Sequence, residues 1–281
     1  MISLFKLLET FKVVYETLNF SEAAEILFVS QPTVSAQIKQ LENELSTTLF
    51  IRNGRRKIMP TTQADLLYNQ SLDLLESWEK TRQLVMNQSA ANETIRISAS
   101  QTFALKALPE LLQALLAVFP KIAFKVTLCN SLDVLNAMNK HEADLGFIEM
   151  PLQTGTLKRT TLLSDTLVIA GEPSEQLWLV REPTSGVYHY SKRYFEENNI
   201  TGPFLEMNSN ELILKLLKMG IGRSIISSRE TDELHTIPLP DSYERNFYLL
   251  EREAVDSEAA SQCSRFIIRW IAQHFSTTSS S

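Results

Sequence analysis

Apolar residues recur every three or four positions through the first twenty residues: Leu4, Leu7, Leu8, Phe11, Val14, Tyr15 and Leu18. That is the repeat of a helix with one buried face. Asn19-Phe20 ends the pattern, and Ser21 is placed to cap a second short helix running to about Phe28. Its Ala23 and Ala24 are small enough to let helices approach closely. Ser30 caps a third helix with Pro32 in the first turn, where a missing N–H costs nothing. Val34, Ile38, Leu41 and Leu45 form the inward stripe of this helix. Thr33, Ala36, Lys39 and Gln40 then face outward, with Ser35 and Gln37 on the flanks.

Two short runs follow, Leu49-Phe50-Ile51 and Lys57-Ile58-Met59, around Asn53-Gly54, a strong hairpin signal. Pro60-Thr61-Thr62 opens a long helix to about Gln88 that contains neither Gly nor Pro. At 1.5 Å per residue it spans about 40 Å, too far to bury its Leu66, Leu67, Leu72, Leu74, Leu75, Trp78, Leu84 and Val85 side on one small domain. The expectation is a spacer that also dimerises, ending in a hinge at residues 89–92.

From Glu93 the texture alternates. Thr94–Ala99 reads as a strand, Phe103–Phe119 as a helix, Ala123–Cys129 as a strand, Leu132–Lys140 as a helix and Ala143–Ile148 as a strand. This βαβαβ order predicts a parallel sheet with right-handed crossovers. Strand-like runs at 165–170, 177–181 and 201–206, a helix at 209–219 and a strand near 223–227 predict a second α/β lobe. A strand at 246–250 and a helix at 256–275 close the chain, and Ser276–Ser281 is too polar to pack. Residues 93–163 with 236–275 make up the first lobe, and 164–235 the second.

Composition narrows the class. With 44% apolar and 21% charged residues the chain is an ordinary globular protein of about two domains. No run approaches the roughly 18 apolar residues of a membrane span. Lys6, Glu9, Lys12 and Glu16 interrupt the N-terminal apolar pattern, which a signal peptide does not tolerate. Cys129 and Cys263 lie far apart without a Cys or His companion, and together these features predict a reduced, cytoplasmic protein with no membrane association. The net charge of −6 divides unevenly, as +1 over residues 1–60 and −7 over the rest. Arg52, Arg55, Arg56 and Lys57 fall within six residues that hold no acid, and a local field of that kind steers a polyanion.

The run F-S-E-A-A-E-I-L-F-V-S-Q-P-T-V-S-A-Q-I-K-Q-L-E-N-E-L-S-T-T-L-F-I-R, Phe20 to Arg52, resembles the LysR-type transcriptional regulators almost position by position. With helix-turn-helix, wing, long helix and bilobal α/β region in this order, the resemblance covers nearly the whole chain. It implies an N-terminal winged helix-turn-helix at residues 1–60, a linker and dimerisation helix at 61–88, and a two-lobed effector domain like a periplasmic binding protein at 93–275. Such proteins are homodimers or homotetramers on double-stranded promoter DNA. A small metabolite bound between the lobes alters how the heads sit. Three positions depart from the family pattern: Ala36 stands where an arginine is common, Gln63 where a glycine is usual, and only Gly171–Gln176 joins two strands usually separated by a longer segment.

Candidate DNA contacts are Ser30, Gln31, Pro32, Thr33, Ser35 and Gln37, with Lys39, Arg52, Arg55, Arg56 and Lys57 on phosphate or the minor groove. Gln suits adenine, and Pro32 or Thr33 can meet a thymine methyl. Candidate effector contacts are Ser100, Thr102, Asn130, Ser131 and Glu149 in the first lobe, with Ser185 and Ser209 in the second. The first-lobe hydroxyls stand at carboxyl ends of parallel strands, where helix N-termini favour anions, so the expected effector is a small anionic metabolite. Simple N-capping is the alternative role for Ser100, Thr102 and Ser131. His141, His189, His235 and His274 are scattered without metal spacing, and no nucleotide or nucleophile motif is present, so neither an enzyme nor a bound cofactor is expected. Two other functions fit the same chain: a constitutive DNA-binding protein whose C-terminal domain serves only oligomerisation, and a cytosolic ligand-binding protein or enzyme with a vestigial head.

Overall fold

A computed structural model describes residues 3–53, 57–86, 93–252 and 257–275. The wing tip 54–56, the expected hinge at 89–92 and the tail 276–281 lie outside the described residues. The chain divides into two compact units, residues 1–91 and 92–281.

In the first unit, helices α1 (Leu4–Thr17), α2 (Phe20–Ile26) and α3 (Gln31–Glu44) are followed by strands β1 (Phe50–Asn53) and β2 (Lys57–Pro60) and helix α4 (Thr62–Met86). Leu7, Phe11, Val14, Val34, Leu41 and Leu49 are fully buried at the centre. The α2 cap is Asn19 rather than Ser21: its side chain accepts hydrogen bonds from Ser21 and Glu22 backbone N–H groups. Ser30 does cap α3, accepting from Thr33 N–H at 3.3 Å. Leu45, expected inside, is the C-cap of α3 and is exposed, because the helix ends one residue before it. Helix α4 lies against α1 through stacked Tyr15–Tyr68 and Phe5–Trp78 rings, 4.1 and 4.6 Å apart. Its Leu66, Leu74, Val85 and Met86 face solvent in the single chain.

The second unit contains two lobes. The first is a five-stranded sheet in the order Ala123–Cys129, Thr94–Ser100, Leu145–Ile148, Arg245–Arg252, Leu157–Asp165. Strands β3 (Thr94–Ser100), β4 (Ala123–Cys129) and β5 (Leu145–Ile148) are mutually parallel, as expected. Strands β6 (Leu157–Asp165) and β12 (Arg245–Arg252) pair antiparallel, and β12 joins them to β5. The single helix expected at 103–119 is two, α5 (Gln101–Lys106) and α6 (Leu108–Val118). Pro109 breaks it, because proline cannot donate to the helix ladder and its ring clashes with the carbonyl four residues back, so it stands in the first turn of a new helix. These helices and α10 (Glu258–Phe275) cover one face, where Phe103 stacks on Phe147 at 4.2 Å. Helix α7 (Ser131–Asn139) covers the other. It comes so close that a Cβ on Gly146 would stand 2.9 Å from Val134 and Met138 side-chain atoms.

The second lobe holds β7 (Leu167–Ala170) between β10 (Ser224–Ser227) and β11 (Thr236–Pro238), beside the parallel pair β8 (Trp178–Arg181) and β9 (Phe204–Met207). Helices α8 (Gly186–Glu197) and α9 (Asn210–Lys218) pack on its two sides. The pattern reading lacked β6, α8 and β11. Strand β11 pairs with β7, so the second lobe extends past residue 235 and the return crossing falls between Pro238 and Arg245.

Phe147→Ala should destabilise the second unit by about 3–5 kcal/mol, read by urea denaturation. A loss under about 1 kcal/mol would show that the stacked pair does not organise this core.

Candidate nucleic-acid interface and interlobe cleft

Capping by Ser30 fixes the start of α3, leaving Gln31 and Pro32 exposed and Thr33 and Ser35 half-buried along its first turns. Gln31 Nε2 donates to Ser35 Oγ at 2.8 Å, and Ser30 and Thr33 hydroxyls lie 2.8 Å apart, so these groups are held in one row. Lys39 is exposed one turn beyond Ser35. Gln37 does not belong to that surface. It is 6% exposed, and its Oε1 accepts the Thr10 hydroxyl at 2.6 Å, so it braces α3 against α1. At the other end of α3, Glu42 Oε1 accepts the backbone N–H groups of Leu49 and Phe50 at 2.8 and 3.3 Å, anchoring the wing to the helix. Arg52 and Lys57 lie on the two wing strands, with Asn53 opposite Lys57. Their side chains, and Arg55 and Arg56 entirely, are outside the described residues.

In the second unit the lobes meet across a cleft. Gln101 at the start of α5 bonds the second lobe twice, donating to Asn208 carbonyl oxygen at 2.8 Å and accepting from Asn210 N–H at 3.0 Å. Asn210 Nδ2 donates to Thr102 Oγ1 at 3.0 Å, and Asn130 Nδ2 to Thr184 Oγ1 at 2.9 Å. Asn130, Ser185 and Ser209 are the side-chain N-caps of α7, α8 and α9. Ser131 is buried and accepts Glu149 N–H at 3.3 Å. Ser100 sits at the α5 cap position without making the cap bond, and its buried hydroxyl faces the Glu149 carboxyl. The seven expected residues therefore border the cleft or cap helices that do, and for all but Ser100 and Glu149 capping or bracing is the visible role.

Four residues absent from that expectation dominate the cleft's electrostatics. Arg245 Nε donates to Asp165 Oδ2 at 2.7 Å where the two crossing strands meet, and its Nη1 lies 3.9 Å from Glu149 Oε1. Arg181 ends β8 and bonds Asn210 and Glu182. Thr102, Arg181, Asn210, Ser227, Glu230 and Arg245 border a cavity of about 10 Å³, room for about one water. Alternation could have found Arg245: it is in phase with buried Phe247 and Leu249 along β12. Arg181 ends the continuously buried run Trp178–Arg181. Glu149 and Glu230 are both pushed above the usual carboxylate range, chiefly by burial, Glu230 to about 7. A Cβ on Gly186 would meet Glu149 Cγ at 2.4 Å, so only glycine lets the α8 N-terminus sit on that carboxyl.

Glu230 gives a pH signature. Unfolded, it releases its proton near 4.5; folded, near 7. Its contribution is therefore most favourable at low pH, is lost between these values and is flat above them. The stability of wild type relative to Glu230→Gln should fall by roughly 2–3 kcal/mol between pH 5 and 8. A pH-independent difference would show that Glu230 titrates normally.

Among the described residues no helix is long and apolar enough to cross a membrane, and no His, Cys, Asp and Glu cluster could hold a metal ion. The model for a bacterial regulatory helix-turn-helix protein of the lysR family matches residues 5–65, and that for a LysR substrate binding domain matches residues 88–272. The chain is 27% identical to the HTH-type transcriptional regulator CysL of Bacillus subtilis (strain 168), over 79% of this chain and 80% of that protein. It is 29% identical to the uncharacterised HTH-type transcriptional regulator YeiE of Escherichia coli (strain K12), over 80% and 81%. Among solved structures, full-length BenM aligns over 99% of both chains with a TM-score of 0.58 at 21% identity, and CbnR complexed with its target DNA over 96% and 100% with 0.57 at 17%. These two likenesses show the fold. The family models cover most of the chain, and it belongs to the LysR family of transcriptional regulators, with a DNA-binding head and an effector-binding domain, rather than to any class of enzyme.

Proposed function

We propose that the row of Ser30, Gln31, Pro32, Thr33, Ser35 and Lys39 along the start and outer face of α3 lies in the major groove of promoter DNA, while Arg52, Arg55, Arg56 and Lys57 of the wing engage phosphate or the minor groove. The supporting observation is the anchoring of the wing to α3 through Glu42, which makes the two contact surfaces one rigid body. Gln37 drops out of the set because it is committed to Thr10. Residues 61–88 are the dimerisation segment in this reading, consistent with the apolar side chains that α4 leaves exposed. Paired heads then read half-sites about one helical turn apart or a multiple of it.

The effector is a small anionic metabolite held between the lobes. What carries this is the gathering of the α5, α7, α8 and α9 N-termini at one cleft, seen in the bonds from Gln101 and Asn130 and in the Gly186–Glu149 contact. Helix N-termini present free N–H groups and a partial positive charge. The second reading, a constitutive regulator, draws on the direct bonds between the lobes and the one-water cavity. A footprint unchanged by every small-molecule fraction of a lysate would favour it.

Fluorescence anisotropy with DNA from beside the protein's own gene tests the head. Specific, salt-sensitive binding is expected. Gln31→Ala should relax discrimination by about 1–3 kcal/mol at one base pair. Arg55→Ala with Arg56→Ala should weaken all sequences alike and flatten the log K against log salt slope by about 2. Unchanged discrimination, or an unchanged slope, would remove the corresponding contact.

A further inference from the structure

At the pivot between the lobes, Arg245 is 1% exposed and only partly satisfied. Nε is bound to Asp165, while Nη1 and Nη2 have no hydrogen-bond partner among the described residues. Glu230 Oε1 is orphaned in the same way. Buried polar atoms without partners are rare in folded proteins, and here a guanidinium and a carboxyl share the condition around one interlobe junction. The cavity beside them holds about one water, so nothing larger enters until the lobes part.

We propose that Arg245 is the counter-cation for the effector's anionic group, a carboxylate or similarly compact oxyanion, and that Glu230 takes up a proton as that group enters. This rests on the interlobe cleft being the effector site. The incoming anion supplies acceptors for Nη1 and Nη2, while the Thr102 hydroxyl and Asn210 amide border the same space. A neutral ligand gives Nη1 and Nη2 no charged acceptor, and a cationic one opposes them.

Proton uptake follows from the charges already present. The groups acting on Glu230 are Arg245 at the start of β12, Lys106 at the end of α5, Asp165 at the end of β6 and Glu149 after β5. Arg181 and the Tyr190 hydroxyl are coupled to this cluster through Glu149. Three buried carboxyls thus surround Arg245, and a fourth negative group is accommodated most readily when one of them becomes neutral. Glu230, already pushed up to about 7, is poised to do so at neutral pH. The proton comes from solvent, and no covalent bond other than that to the proton is made or broken.

The test is isothermal titration of the full-length protein with malonate and with sulfate, in buffers of different ionisation heat. At least one probe is expected to bind at millimolar concentration with a buffer-dependent heat of the sign of proton uptake. Its affinity should fall by at most about tenfold per pH unit above 7, one proton per site. The two probes separate a carboxylate preference from a tetrahedral oxyanion preference. Arg245→Gln should abolish binding. Because that variant can fail to fold, Glu230→Gln is the companion: it keeps the guanidinium and should bind at least as tightly, with no buffer dependence. The proposal is overturned if neither probe binds the wild type, if folded Arg245→Gln binds like wild type, or if Glu230→Gln keeps the wild-type proton uptake. A lysate fraction that shifts the DNA footprint of wild type and Arg245→Gln equally would leave the effector cleft standing and remove Arg245 alone. No footprint shift with any fraction would remove the cleft reading itself.

Discussion

The two strands that cross between the lobes are joined at their ends by the buried pair of Arg245 and Asp165, opposite each other in register and 2.7 Å apart. Desolvating two charges is expensive, and removing one partner of such a pair typically costs about 3–5 kcal/mol. The pair therefore constrains where the lobes can pivot. Ser227 from the second lobe bonds the same Asp165, and Glu149 of the first lobe reaches toward the same Arg245. The bonds of Gln101, Asn130 and Asn210 across the cleft close outward from that fixed point. Closure also sets the cavity: with these bonds made, space for about one water remains.

The head depends on a comparable economy of polar contacts. Thr10 to Gln37 fixes α3 on α1, and Glu42 to Leu49 and Phe50 fixes the wing on α3. The first is buried and the second lies at the edge of a small apolar core, so they select one arrangement of helix and wing from several that the same hydrophobic residues would permit. An effector acts on such a system by differential affinity for lobe arrangements, and couplings of about 1–3 kcal/mol shift promoter occupancy several-fold.

Much of this was legible in the chain. The Ser30 cap, Pro32 and the inward stripe located α3, and the Asn53-Gly54 signal located the wing. Gln37 misled because flank position on a helix wheel does not reveal a buried acceptor for Thr10 twenty-seven residues away. Strand β6 was missed because most of it is only half-buried or exposed, so its alternation is weak, and pairing with β12 defines it instead. Helix α8 was missed because Tyr188, Tyr190 and Tyr194 dominate a segment of poor helix formers; Val187, Tyr190 and Ser191 carry its buried face. The charged cluster assembles from four separated strand and helix ends, a convergence that only the fold supplies.

Hydrogen exchange at the Asn210 amide tests the hinge pair most directly. That N–H stands in the first turn of α9, where no helical partner exists, and its protection comes from Gln101 Oε1 across the cleft. Wild type should protect it, and Asp165→Asn should lose that protection while the β3 and β5 amides of the first lobe stay slow to exchange. Equal protection of Asn210 in both proteins would show that the lobes close without the buried pair.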